Sequence, residues 1–133
     1  MSQPLLETHN QQRTPTVLVV EPAPAMARLL RTMMETLGFR VIEACGPDQA
    51  LTEIESPTEI DLVLSELSLP DVSGPKLASF ISKRRPSIPV VLLCDQRVPD
   101  TIIPADYAVY LNKPFTSDEL ADVIHRVAAN TAP

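Results

Sequence analysis

The sequence predicts an α/β fold, a doubly wound five-stranded parallel sheet with helices on both faces. Three observations carry the prediction. Short β-branched runs, apolar on both faces, alternate five times with amphipathic segments, the pattern of a parallel sheet covered on each side. Proline and glycine fall at the joins between them, where each can open or end an element. The chain has 133 residues, 44% hydrophobic and 21% charged, which suits one domain with one core.

Residues 1–15, MSQPLLETHNQQRTP, are polar and aperiodic and read as a mobile tail. The domain is expected over 16–129, with 130–133 as a second tail. Thr16–Val20, TVLVV, is the first strand. Pro24 suits the first turn of a helix, where a missing N–H costs nothing. Met26, Leu29, Leu30, Met33 and Leu37 then form one apolar stripe, and Gly38 fits the left-handed residue after a helix. That spacing explains the methionines as core rather than as a ligand-binding box. Arg40–Ala44 is the second strand. Residues 47–54 form a short helix that turns Ala50, Leu51 and Ile54 inward and stops near Pro57.

Residues 60–65, IDLVLS, are the third strand. Gly74 and Pro75 open a helix with Leu77, Phe80 and Ile81 inward, and Pro86 ends it. Residues 88–93 and 107–111 are the fourth and fifth strands. Thr116-Ser117-Asp118-Glu119 fits a capping box for a last helix striped by Leu120, Val123, Ile124, Val127 and Ala128. Between strands four and five, residues 94–106 contain Pro99 and Pro104. The helix expected there should be shortened or irregular, because a proline inside it removes a backbone hydrogen bond.

Composition narrows the function. The net charge of −6 disfavours a grip on nucleic-acid phosphates. Three glycines are too few for a glycine-rich phosphate cradle. No apolar run approaches the ~20 residues of a membrane span, and the first residues hold no apolar signal region. The expectation is a cytoplasmic protein with Cys45 and Cys94 reduced, and with neither nucleic acid nor membrane as partner. No Cys or His spacing matches a structural zinc site. His9 falls in the tail and His125 on the exposed or flanking side of the last helix.

In an open parallel sheet the functional crevice lies beyond the carboxyl ends of the strands, near the switch in strand order. After the first strand come Glu21, Pro22, Ala23 and Pro24, and after the third Glu66, Leu67 and Ser68. After the fourth come Cys94 and Asp95, and after the fifth Asn112, Lys113 and Pro114. Glu21, Glu66 and Lys113 converge if strands one, three and five surround the crevice.

The segments VLVVEPAPAM, DLVLSELSLPDVSG, PVVLLCDQ and YLNKPF resemble the four landmark segments of bacterial response-regulator receiver domains. The resemblance runs from about Thr16 to Val127. It implies a flavodoxin-like receiver fold with sheet order 2-1-3-4-5 and a cis Lys113–Pro114 bond. It also implies a role. Usual receivers take a phosphoryl group from a histidine kinase onto an Asp. Two acids after strand one help to hold Mg²⁺, while a hydroxyl after strand four and a Lys after strand five contact the phosphoryl oxygens.

Matched residue by residue, this chain departs from that pattern. The acceptor Asp matches Glu66, the acid pair matches Glu21 and Pro22, and the hydroxyl residue matches Cys94. Only Lys113 is retained. The aromatic that changes rotamer on activation matches Tyr110, on the signalling face. Pro22 has no side-chain oxygen, and Mg²⁺ demands near-octahedral oxygen ligation. Glu21 and Glu66 each carry an extra methylene, roughly 1.5 Å, and misplacement near 1 Å can cost ~10²-fold in rate. Cys94 offers a weak S–H donor. Lys113 is expected to face the two carboxylates of Glu21 and Glu66.

These departures predict a degenerate receiver, or pseudo-receiver. It would be a non-enzymatic interaction module in two-component phosphorelay signalling, with no cofactor and no Mg²⁺. Its partner would be a signalling protein or effector domain, a histidine kinase among them. Two alternatives stay open: a phosphorylation-competent receiver with an unusual acceptor, and a thiol redox switch at Cys94 beside Lys113. A nucleotide-binding enzyme is disfavoured, because the loop EPAPAM has no glycine to let a phosphate approach the backbone.

Overall fold

The computed structural model describes residues 13–69, 72–95 and 108–131, with side chains as far as Ala128. The strands β1 (Thr16–Val20), β2 (Arg40–Ala44), β3 (Leu62–Glu66), β4 (Val90–Cys94) and β5 (Ala108–Asn112) form one parallel sheet. Its order is β2-β1-β3-β4-β5, as expected. The described helices are α1 (Pro24–Thr36), α2 (Pro47–Glu55), α3 (Gly74–Arg84) and α4 (Ser117–Thr131). Of the irregular segment expected at 94–106, residues 96–106 lie outside the described residues, as do tail residues 1–12. Among the described residues no helix is long and apolar enough to cross a membrane.

The three central strands are buried at every position. Their pleat sends alternate side chains to opposite faces. Val17, Val19, Leu62, Leu64, Val91 and Leu93 meet Leu30 and Met34 of α1 and Leu120, Val123, Ile124 and Val127 of α4. Leu18, Val20, Val63, Val90 and Leu92 meet Ala50 and Ile54 of α2 and Leu77, Ala78 and Ile81 of α3. Two helical layers thus need apolar residues on both faces, which is why these strands read as continuous apolar runs.

Two helical stripes differ from the expectation. In α1, Met34 is fully buried while Leu29 is 52% exposed. In α3, Ala78 joins the core, and Phe80 is half-buried beneath the Arg84 guanidinium, 5.6 Å from the ring centre. Successive helical residues turn through about 100°, so apolar residues crowded on one side compete for a narrower line of contact. The sheet selects Leu30 with Met34, and Leu77 with Ile81, each pair four residues apart. Gly38 takes the left-handed conformation expected after α1, with φ 99°.

The capping box is present in both directions. Glu119 N donates to Thr116 Oγ1 at 3.1 Å, and Thr116 N donates to Glu119 Oε1 at 2.8 Å. The helix it opens continues to Thr131, past the expected boundary at residue 129. At the other end the structured chain begins before Thr16. Arg13, placed in the tail by its sequence context, donates from both terminal nitrogens to Asp61 at 2.9 and 2.6 Å. Asp61 also accepts from Thr16 N at 2.7 Å. This forked pairing is a strong hydrogen-bonding geometry, and the partner lies 48 residues away, so no local pattern announces it.

Candidate functional site

Parallel register brings the strand ends level. Val20 lies opposite Ser65, Glu66 opposite Leu93, and Cys94 opposite Asn112. β3, β4 and β5 each run one residue further than expected, to Glu66, Cys94 and Asn112. Their polar last residues look like loop in the sequence, yet the backbone pairing carries on through them. Leu67 N donates to Leu93 O at 2.8 Å, and Lys113 N donates to Cys94 O at 2.7 Å. Glu21, Glu66, Asp95 and Lys113 therefore reach one crevice of about 290 Å³, with Pro22, Ala23, Met26 and Ser68 completing its walls. The Lys113–Pro114 bond is cis, as expected.

Lys113 pairs with Glu66 Oε2 and, at 3.3 Å, with Asp95 Oδ1. The sequence reading named Glu21 as the second carboxylate facing Lys113, but Asp95 takes that place. The pairing of Cys94 with Asn112 puts the next residue of each strand, Asp95 and Lys113, side by side. Strand register was the signal that could have found Asp95. Burial pushes the Glu66 carboxyl above the ordinary range, against the pull of Lys113 and with help from the charges of Glu21 and Asp95. Burial also works against the Lys113 ammonium. The hydrogen bond and field of Glu66, with those of Asp95, outweigh it and hold Lys113 above its usual value.

Glu21 is 6% exposed. Its Oε2 accepts from Ala23 N at 3.0 Å, the turn that leads into α1. Its Oε1 is buried and meets no hydrogen-bond donor among the described residues. Pro22 contributes only ring carbons. Cys94 is fully buried, and its sulfur lies 3.8 Å from Leu92 O. Burial pushes the thiol pKa up, with Glu66 and Asp95 adding to it and Lys113 opposing. A thiol held protonated and away from water is the opposite of a reactive one, which counts against a redox switch there. Cys45 and Cys94 are both free. Tyr110 is half-buried on β5 and packs against the core under α2 and α3. His125 is exposed.

The resemblance implies Mg²⁺ in this crevice. Mg²⁺ needs about six oxygens in near-octahedral array. Here one acid position is proline, and Glu66 Oε2 is held by Lys113. Among the described residues no three His, Cys, Asp or Glu side chains are grouped to hold a metal. The residues present do not fit the ion.

Gly74 packs closely against the backbone of Glu66 and Leu67. Gly74 N donates to Leu67 O at 2.7 Å. A methyl at Gly74 would lie 2.8 Å from Glu66 O and 2.9 Å from both Leu67 Cα and Leu67 O. These are backbone atoms that cannot swing aside. Gly74→Ala should therefore cost about 2 kcal/mol, the usual scale of overpacking, read by urea denaturation. Unchanged stability would show that the β3–α3 joint has room.

Similarity to known proteins agrees with this architecture. The model of the response regulator receiver domain family matches residues 17–125. The chain is 36% identical over 126 residues to the KDP operon transcriptional regulatory protein KdpE of Escherichia coli K12, covering 88% of this chain and 54% of that protein. It is 28% identical over 120 residues to the transcriptional regulatory protein GlrR of the same organism, covering 88% of this chain and 27% of that protein. It thus spans about half or less of these curated relatives. The signal receiver domain of an HD domain-containing protein from Pseudomonas fluorescens Pf-5 superposes with a TM-score of 0.79 at 27% identity, covering 90% of this chain and 98% of that one. With fold and sequence in agreement, the chain belongs to the family of response regulator receiver domains.

Proposed function

We propose that this receiver works without phosphorylation, as a non-enzymatic interaction module in two-component signalling. One observation carries the reading: Lys113, the residue that would meet an incoming phosphoryl group, is already neutralised by Glu66 and Asp95. An arriving phosphoryl group would have to displace both carboxylates. It would also arrive at a carboxylate whose Oε2 is engaged by Lys113, beside a proline in place of one acid. Catalysis of phosphoryl transfer rests on positioning and charge stabilisation, and both are compromised.

The partner is a signalling protein or an effector domain, with a histidine kinase as one candidate, met through β5, α4 and Tyr110. The ion pair of Glu66 and Lys113 favours a second reading, in which Glu66 imitates a phosphorylated acceptor. The imitation is half made. Lys113 is engaged, but Cys94, at the position of the second phosphoryl contact, is turned to Leu92 O.

The test is incubation of the unmodified protein with Mg²⁺ and a small phosphodonor, followed by intact-mass measurement. No gain in mass is expected. Stoichiometric addition of a phosphoryl group at Glu66, or elsewhere in the crevice, would overturn the proposal.

A further inference from the structure

Lys113 is the cation among the residues that line the crevice, and its two carboxylate partners sit in different surroundings. The Glu66 side chain is 8% exposed and the Asp95 side chain 72%. Glu66 holds the ammonium from inside, and Asp95 meets it from the solvent side. One negative charge neutralises the ammonium, and Glu66 supplies it. Asp95 adds a second, so the mouth of the crevice carries an excess of negative charge where a ligand first meets it. A pair with so exposed a partner adds little to folding stability. Its effect falls instead on what can approach Lys113.

The backbone fixes this placement. Cys94 and Asn112 are register partners in β4 and β5, and Lys113 N donates to Cys94 O at 2.7 Å. Asp95 and Lys113 come next in the chain, so their side chains leave neighbouring points of a paired backbone. Asp95 Oδ1 lies 3.3 Å from Lys113 Nζ. We propose that Asp95 is an autoinhibitory contact that makes the crevice exclude anions: its carboxylate stands over the Lys113 ammonium and keeps phosphoryl donors and other small anions from it. The inference deepens the phosphorylation-free reading of the site and rests on it, naming the residue that closes off the lysine. Glu66 acts differently, because it is buried and binds the ammonium away from the solvent through which an anion arrives. Exclusion by an exposed carboxylate is a matter of charge, so salt screens it and a neutral residue of the same shape removes it.

The test is the reactivity of Lys113 in the whole chain toward two amine reagents, the anion trinitrobenzenesulfonate and the neutral acetic anhydride. Peptide mapping reads each lysine, with the exposed Lys76 and Lys83 as internal references. Both reagents need the same unprotonated amine, so the ratio of their rates cancels any change in its basicity. Asp95→Asn, equal in shape, should raise the anion-to-neutral ratio at Lys113 about fivefold, the effect of one unit charge a few ångströms away in a water-like medium. Asp95→Glu keeps the charge and should keep the ratio of wild type. In the wild type, added NaCl should raise the ratio toward that of Asp95→Asn. An unchanged ratio in Asp95→Asn, or a ratio in Asp95→Glu as high as in Asp95→Asn, overturns the proposal. So does a Lys113 that neither reagent reaches in any form, because packing would then close the site. These results leave the phosphorylation-free reading standing. A phosphoryl group gained by the unmodified protein in the intact-mass measurement removes that reading, and this inference with it.

Discussion

A variant carrying Glu21→Asp, Pro22→Asp, Glu66→Asp and Cys94→Thr together is expected to accept a phosphoryl group from a small phosphodonor, whereas Glu66→Asp alone gains almost nothing. The single change shortens the acceptor by one methylene, roughly 1.5 Å, and restores its reach. It leaves Pro22 without an oxygen and Asp95 still on Lys113. Glu21→Asp and Pro22→Asp return both strand-one acids at the shorter length, and Mg²⁺ binding should appear at that step. Cys94→Thr then supplies a hydroxyl where the thiol is a weak donor. The improvement should be steeply non-additive, because residues that act on one transition state fail together. Isothermal titration with Mg²⁺ and intact-mass measurement after phosphodonor treatment follow the series. Full labelling of Glu66→Asp by itself would show that the acceptor, not the metal shell, limits this site.

Lys113→Met should be the most destabilising conservative change in the crevice at neutral pH, and its cost should depend on pH. Glu66 is 7% exposed and would keep a buried charge without its counter-ion. Losing one partner of a buried pair costs roughly 3 kcal/mol or more. The sign follows from the direction of each shift. Glu66 already has a raised folded pKa, so the folded state holds its proton more tightly than the unfolded chain does. That contribution is fully present below the unfolded value of 4.5 and is lost as pH rises through the folded value. Removing Lys113 raises Glu66 further and deepens the loss. Lys113 is itself raised, so its own stabilisation is full below 10.5 and fades above its folded value.

The difference between wild type and variant should therefore be small below pH 4.5, largest between the raised folded value of Glu66 and pH 10.5, and smaller again above the raised folded value of Lys113. Urea denaturation across that range reads it. Glu66→Gln in the Lys113→Met background should remove most of the pH dependence. An equal loss at all pH values would mean that Lys113 contributes through packing rather than charge.

The class of fold and most of the residues lining the crevice are legible in residue patterns alone. Strands such as VLVV and VVLL are apolar on both faces because they lie between two helical layers, and that requirement is written into each residue. Pro24, Gly38 and the Thr116–Glu119 box mark helix ends through their own backbone chemistry, so they were legible one residue at a time. Glu21, Pro22, Glu66 and Lys113 were legible as neighbours because the open ends of parallel strands are where ligands sit, and because the surrounding segments resemble known landmarks; Cys94, expected beside them, is fully buried and does not line the crevice.

The folded arrangement sets every contact between residues distant in the chain. It put Asp95, rather than Glu21, on Lys113, because strand register sets which residues stand side by side. It left Glu21 Oε1 without a donor among the described residues and set the Cys94 sulfur 3.8 Å from Leu92 O. It joined Arg13 to Asp61 across 48 residues. It chose Met34 over Leu29 and Ala78 over Phe80, since a helix carries several apolar residues and the sheet admits only those that face it. Periodicity is local and a contact is not, so hydrogen-bond partners and ion pairs become fixed only when the strands are aligned.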